Sequence, residues 1–233
     1  MLMKRYNIFA VVLLFLLGGT TFAQSPAPLR PPAVPLITHD PYFSIWSMND
    51  KLTDGATKHW TGTDNPLTGL IRIDDVTLRF MGANPARRGD NDIKPMQQTG
   101  FKLTPTRTMY SFEANGIKLD LTFLTPALPQ DLNVLSRPLT YIMWDVRAID
   151  GREHNVRLYL DATAHLVVNR VDERAMWSRH KLGEMEVVRL GSTEQKMLQK
   201  SGDDLRIDWG YLYLAVPPQG SRVATLGTTT AQR

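Results

Sequence analysis

Residues 109–125 read Met109-Tyr110-Ser111-Phe112-Glu113-Ala114-Asn115-Gly116-Ile117-Lys118-Leu119-Asp120-Leu121-Thr122-Phe123-Leu124-Thr125. Tyr110, Phe112 and Ala114 alternate with polar side chains, Asn115-Gly116 interrupts, and Ile117, Leu119, Leu121 and Phe123 resume the alternation. A period of two sends successive side chains to opposite faces of an extended backbone, so each arm has one apolar face and one wet face. Asn-Gly tolerates the positive φ that a two-residue type I′ turn needs at both central positions, and the twist of that turn matches its arms. The stretch predicts an antiparallel hairpin.

The same period recurs on both sides. Leu70 to Ile73 and Val76 to Phe80 flank Asp74-Asp75, a second hairpin with a weaker turn than Asp-Gly. Further strands are expected at Thr140 to Ala148, Asn155 to Asp161, Glu184 to Leu190, Leu205 to Ile207 and Tyr211 to Val216, with Asp150-Gly151 and Pro217-Pro218 as breakers. The best helical stretch, Thr193 to Lys200 behind the cap Ser192, is one turn long. Many short strands with little helix predict an all-β fold, two antiparallel sheets packed as a β-sandwich. An N-terminal segment, 36–95, would carry the first hairpin, and the sandwich domain would occupy 96–233, incomplete at its C-terminal end.

Ahead of this pattern, Lys4 and Arg5 precede an apolar run from Ile8 to Leu17, closed by Gly18-Gly19 and followed by Thr21-Phe22-Ala23. That is the layout of a cleavable signal peptide over residues 1–23, too short for a membrane span of about 20 apolar residues. Export to a periplasm or the medium follows, with no membrane attachment after cleavage. Residues 24–35 hold Pro26, Pro28, Pro31, Pro32 and Pro35 and read as an extended tether. Cysteine is absent, so burial alone must hold the mature chain. About 210 residues suffice for that, since a chain of such size buries roughly 70% of its unfolded surface. Two of the 27 basic residues leave with the signal, against 23 acidic ones, which lowers the formal charge from +4 to +2. Lys and Arg are scattered among Asp and Glu, so no nucleic-acid footprint is present.

Side chains suited to catalysis are sparse. There is no cysteine nucleophile and no G-x-S-x-G elbow. His39, His59, His154, His165 and His180 never take metal-ligand spacing, so neither a metal nor another cofactor is implied. Paired carboxylates for glycoside hydrolysis need only be about 5 to 9.5 Å apart in space, and sequence cannot select a pair. Trp46, Trp60, Trp144 and Trp209 each adjoin polar or ionisable residues. Core packing is the stronger reading for Trp144 and Trp209. Trp46 and Trp60 fall in segments that read as loops, so with His59 they are the candidates for a pocket rim.

Several strings fall in one order: Pro32-Ala33-Val34-Pro35-Leu36, Asp40-Pro41-Tyr42-Phe43-Ser44-Ile45-Trp46-Ser47, His59-Trp60-Thr61-Gly62, and Pro66-Leu67-Thr68-Gly69-Leu70-Ile71-Arg72-Ile73-Asp74. The series resembles the N-terminal region of the glutaminase A family. Gly202-Asp203-Asp204-Leu205-Arg206-Ile207-Asp208-Trp209-Gly210-Tyr211-Leu212-Tyr213-Leu214 is similar to that family's next block. Asp75 departs from the pattern, which favours Gly after Asp74; a strained or lengthened turn is the consequence expected. The resemblance implies a supersandwich-like β-domain ahead of an (α/α)6 barrel of the six-hairpin glycosidase type, in secreted proteins some of which hydrolyse glutamine. It also implies that the barrel lies outside this sequence, so that the chain is truncated before its catalytic domain and no catalytic residue can be transferred to it. The partner expected is that helical domain, with a small-molecule amide or a carbohydrate as the possible ligand. A free-standing carbohydrate-binding module, which needs its aromatics exposed on one face, is the competing reading, and a structural envelope protein is a third.

Overall fold

A computed structural model describes residues 30–85 and 92–217. The signal segment at 1–23, the tether over 24–29 and the C-terminal end at 218–233 lie outside the described residues. The described residues from Pro31 onward belong to one unit.

The hairpin read from residues 109–125 is present as β6 (Arg107–Ala114) and β7 (Ile117–Leu124), with Ala114 opposite Ile117. Asn115 and Gly116 have φ of 48° and 75°, the left-handed pair of a type I′ turn. Thr108, Tyr110 and Phe112 on β6 and Ile117, Leu119, Leu121 and Phe123 on β7 are buried. The second hairpin is β3 (Leu67–Ile73) and β4 (Val76–Met81), and its turn keeps two residues, since Ile73 still faces Val76. Asp74 absorbs the positive φ, 53°, so Asp75 does not lengthen the turn.

These hairpins seed two sheets. β5 (Gln97–Thr104), β6, β7 and β8 (Tyr141–Ala148) form a four-stranded antiparallel meander. β9 (Val156–Ala162) pairs with β3, giving the order β4-β3-β9, so strands from 36–95 and 96–233 share a sheet. The rings of Phe80 on β4 and Phe112 on β6 meet with centroids 6.2 Å apart, and Ile142, Trp144 and Val146 of β8 pack on the same core. Gly69 makes the close approach possible, because a Cβ there would fall 2.2 Å from Phe80 Cε2. Antiparallel sheets packed across one apolar core bear out the all-β, sandwich-type expectation.

A two-stranded ribbon of β1 (Val34–Thr38) and β2 (Ser44–Ser47) lies over this core, tied by the Thr108 hydroxyl donating to the Pro35 carbonyl at 2.6 Å. β1 thus opens at Val34, two residues inside the stretch expected as tether. Its register shifts between Pro35 and Ile37, the kind of irregularity that admits proline in a strand. A third sheet contains β10 (Ala175–Leu182), β11 (Met185–Ser192) and β12 (Leu212–Val216).

Other expectations fail locally. Leu205 to Ile207 is not a strand; it runs against the β1–β2 connection, where the Ile207 N–H donates to the Tyr42 carbonyl at 2.9 Å. Thr193 to Lys200 is not helical. Ser192 ends β11, and Gln195 turns left-handed (φ 50°) while its side-chain amide donates to the Ser192 and Gly210 carbonyls, so side-chain bonds to backbone outcompete the helix. The one α-helical turn among the described residues, α1 (Leu132–Leu135), is capped by Asp131, whose carboxylate accepts from the Val134 N–H at 3.1 Å.

Candidate functional site

Trp46, His59 and Trp60 do lie in one neighbourhood, but not as three loop residues around a pocket. Trp46 belongs to β2, and its backbone exchanges hydrogen bonds with Lys58 (2.7 and 2.9 Å), which places Lys58, His59 and Trp60 alongside that strand. The Trp46 side chain is half-buried with its Nε1 enclosed, and its place on a strand corrects the loop assignment. His59 is fully buried. Its Nε2 lies 3.1 Å from the Pro41 carbonyl, an acceptor only, so Nε2 carries the proton and Nδ1 accepts from the Thr61 hydroxyl at 2.9 Å. Burial pushes the ring below the ordinary histidine value, against the pull of the Pro41 carbonyl. A neutral ring with both nitrogens engaged inside a tight turn, closed by Gly62 N–H donating to the His59 carbonyl at 2.9 Å, serves to shape residues 59–62. Trp60 alone presents its ring to solvent, half exposed, and donates from Nε1 to the same Pro41 carbonyl at 2.7 Å.

This turn meets the later block of sequence. The Thr63 hydroxyl donates to Asp204 at 3.3 Å, and the Tyr42 and Trp209 rings contact edge-on at 5.1 Å. Behind them is a polar cluster that the sequence did not disclose. Arg206 is buried, its NH2 donates to the Asn169 carbonyl and its backbone N–H to Asn169 Oδ1 at 2.8 Å, while NH1 is enclosed without a partner. Lys200 bridges Glu173 and the buried Asp208, the latter at 2.7 Å. Burial opposes the Lys200 charge, but the two carboxylates outweigh it and raise its pKa. The cluster joins the segment at 169–173 to that at 200–208 as an internal brace.

A second polar centre sits where three turns converge. His154 has Asp74 Oδ2 2.8 Å from Nδ1 and Asp150 Oδ1 3.2 Å from Nε2. The bonds to Asp74 and then to Asp150 raise its pKa. Asp74 is lowered by His154 and by the Asn155 N–H (2.9 Å); Asp150 is lowered first by the Arg152 N–H (3.0 Å) and then by His154. The imidazolium clasps the β3–β4 turn to the β8–β9 connection, and the Ile149 N–H donating to the Gly116 carbonyl (2.8 Å) adds the β6–β7 turn. Beside it opens a polar hollow of about 240 Å³ lined by Arg72, Asp74, Asp75, Asn155 and Arg157. The two carboxylates occupy opposite ring nitrogens of His154 and so cannot share one ion with it; among the described residues no three His, Asp or Glu side chains are grouped to hold a metal. Sequence offered only the turn signals of Asp74-Asp75 and Asp150-Gly151 for this centre.

The tryptophan platform expected of a sugar-binding module is absent among the described residues: Trp46, Trp144 and Trp209 are half-buried, and only Trp60 and Trp177 are exposed.

Comparison with known proteins places these features in a family. Glutaminase A of Aspergillus oryzae (strain ATCC 42149 / RIB 40) is 27% identical over 227 residues, which are 93% of this chain and 32% of that protein. The present sequence therefore spans about a third of its relative, and the resemblance carried by the two sequence blocks extends across nearly the whole chain. Residues 20–87 match a domain of unknown function, DUF4964, and residues 106–233, more than half of the chain, match a second, DUF5127. The chain thus belongs to the DUF5127 family, with a DUF4964 segment ahead of that domain, and is homologous to Glutaminase A.

Proposed function

We propose that this chain is the non-catalytic β-sandwich part of an exported glutaminase A-like amidohydrolase, and that it supports an (α/α)6 catalytic domain. The observation that carries this reading is the distribution of exposed apolar side chains. Among the described residues, 17 of the 20 exposed large hydrophobic side chains lie from Leu128 onward, although those residues divide almost evenly about that point. Leu132 and Leu135 on α1, Tyr141 and Met143 on β8, and Leu158 and Tyr159 on β9 are all in this set. β8 and β9 are also edge strands, each last in its sheet. Apolar surface and open strand edges on one part of a fold mark where further polypeptide packs, and contacts between domains cover about 600–1,500 Å². In this reading α1, β8 and β9 form the docking side, and the rim residues Trp46, His59 and Trp60 act through the one that is exposed, Trp60.

Ammonia release from glutamine by the purified mature chain tests the assignment. No turnover above buffer is expected; turnover comparable to that of Aspergillus oryzae Glutaminase A would overturn it. Mass spectrometry of the secreted product tests export separately, with Gln24 expected as the new terminus and an intact Met1 counting against it.

A further inference from the structure

The β10–β11–β12 sheet has two unlike faces. Ala175, Leu190 and Leu212 pack toward the core, and Leu190 and Leu212 face each other in register. Side chains alternate along a strand, so Ser178 and His180 on β10, Arg189 and Gly191 on β11, and Tyr213 on β12 point away from the core. Ser178, Arg189 and Tyr213 form one row across all three strands. Tyr211, just ahead of β12, lays its ring against Gly191, where a Cβ would come within 2.5 Å of Tyr211 Cδ1. The Arg189 guanidinium sits 4.5 Å from the centroid of that ring, and the Tyr213 ring meets it edge-on at 6.3 Å. Both tyrosines are exposed, at 41% and 55%. Ser178 Oγ and His180 Nε2 are 2.7 Å apart.

Arg189 is the decisive member. It is half-buried and held over Tyr211, yet its guanidinium makes no hydrogen bond or ion pair with any described residue. A guanidinium so placed presents a fixed fork of donors, the geometry that receives a carboxylate through two parallel bonds. Two exposed tyrosine rings beside it offer apolar faces with polar tips, and the Ser178–His180 pair supplies hydroxyl and imidazole groups that match sugar hydroxyls. The composition differs from the Leu-, Met- and Tyr-bearing surface of α1, β8 and β9: here Arg, Ser and His stand among the tyrosines beside the buried Val187, with Met176 and Leu182 at the margins.

We propose that this outward face binds an acidic saccharide, a pyranose bearing a carboxylate, with the ring laid against Tyr213, the carboxylate forked by Arg189 and a hydroxyl bonded by the Ser178–His180 pair. The proposal is independent of the glutaminase-like reading and stands or falls without it.

Calorimetric titration of the purified chain with a trimer of galacturonic acid, and with a neutral hexose trimer of equal length, provides the test. The acidic trimer is expected to bind at least tenfold more tightly, with an advantage that shrinks as salt screens the charge. Arg189→Gln and Tyr213→Ala should each weaken binding tenfold or more. Gly191→Ala should do likewise without removing any group that touches the sugar, because it displaces Tyr211 from beneath Arg189. Leu103→Ala, on a different sheet, should change nothing, and circular dichroism confirms that each variant keeps its β content. No binding of the acidic trimer, equal affinity for the neutral one, or binding indifferent to both Arg189→Gln and Tyr213→Ala would each overturn the proposal. Self-association of the wild type that Tyr213→Ala relieves, with no sugar binding, would overturn it in favour of a protein contact.

Discussion

Replacing Gly116 by alanine tests whether the three turns at the His154 centre are mechanically joined. Gly116 has φ 75°, and an L-residue in the left-handed region costs about 1–2 kcal/mol. Gly151, with φ 77° and open space where a Cβ would go, provides a matched control that meets only this backbone cost. For a chain of this size 1–2 kcal/mol corresponds to a fall in Tm of about 2–8 °C. At Gly116 the added Cβ would stand 2.3 Å from Asp150 Oδ2 and 3.0 Å from His154 Nε2. The carboxylate must swing away, and one arm of the clasp opens with it. Gly116→Ala should therefore lose measurably more than Gly151→Ala in urea or thermal denaturation. In an Asp150→Ala background the obstructing carboxylate is gone, and the loss from Gly116→Ala should shrink toward that of Gly151→Ala; contacting residues couple in this way and distant ones add. Equal losses for the two glycine variants, or an effect of Gly116→Ala unchanged by Asp150→Ala, would refute the convergence of the turns on His154.

Further outcomes follow from the same geometry. The raised pKa of His154 means that its contribution is complete below the ordinary histidine value and fades as pH rises through the folded one, while the lowered pKa values of Asp74 and Asp150 make theirs fade as pH falls through their folded values. The Tm difference between wild type and His154→Gln should thus be largest between about pH 4 and pH 6.5 and decline on either side; a difference that grows above pH 7 would contradict the clasp. Lys200→Met removes the ammonium that bridges Glu173 and the buried Asp208, leaving Arg206 as the nearby cation, and should cost on the order of 2 kcal/mol in urea titration, below the usual 3–5 for a buried pair because the Lys200 side chain is 31% exposed. The exposed Lys181, 3.7 Å from Glu186, should cost almost nothing when replaced in the same way. Phe112→Ala, at the contact between the two sheets, should cost about 3–5 kcal/mol, whereas Tyr141→Ala on the outer face of β8 should stay within about 0.5 kcal/mol; similar losses at both would mean that the inward and outward faces are misassigned.

The strands that sequence revealed are those with one buried face. β7 alternates buried and half-buried residues along its whole length, and Asn115-Gly116 fixes its register, so the period of two is visible in the residues themselves. β10 and β5 lie at sheet edges with few buried positions, and such strands need no alternation; Ala175 to Leu182 and Gln97 to Thr104 accordingly carry no readable signal. Leu205 and Ile207 misled in the opposite direction. Their alternation is real, but it serves a single crossing contact with Tyr42 and no ladder. The His154 clasp was hidden for a third reason: Asp74 and His154 are 80 positions apart, and only the folded β3–β9 pairing brings them within 2.8 Å.

The two blocks of sequence that carry the glutaminase A resemblance turn out to touch. Tyr42 from the first block accepts from Ile207 of the second and packs against Trp209, and Thr63 donates to Asp204. His59 and Trp60 converge on the Pro41 carbonyl in the same joint, and Arg206 and Asp208 are buried immediately behind it. The Ile207–Tyr42 and Thr63–Asp204 hydrogen bonds and the Tyr42–Trp209 ring contact hold the segment at 40–63 to the segment at 200–209, while His59 and Trp60 are bonded within the first segment and Arg206 to Asn169. A hydroxyl or imidazole already bonded on both sides is poorly placed to activate a nucleophile, and the two bonds of His59 instead fix the turn at 59–62 against Pro41. The motif strings therefore place a joint between distant parts of a β-fold, and a joint of that kind is what the proposed supporting role needs.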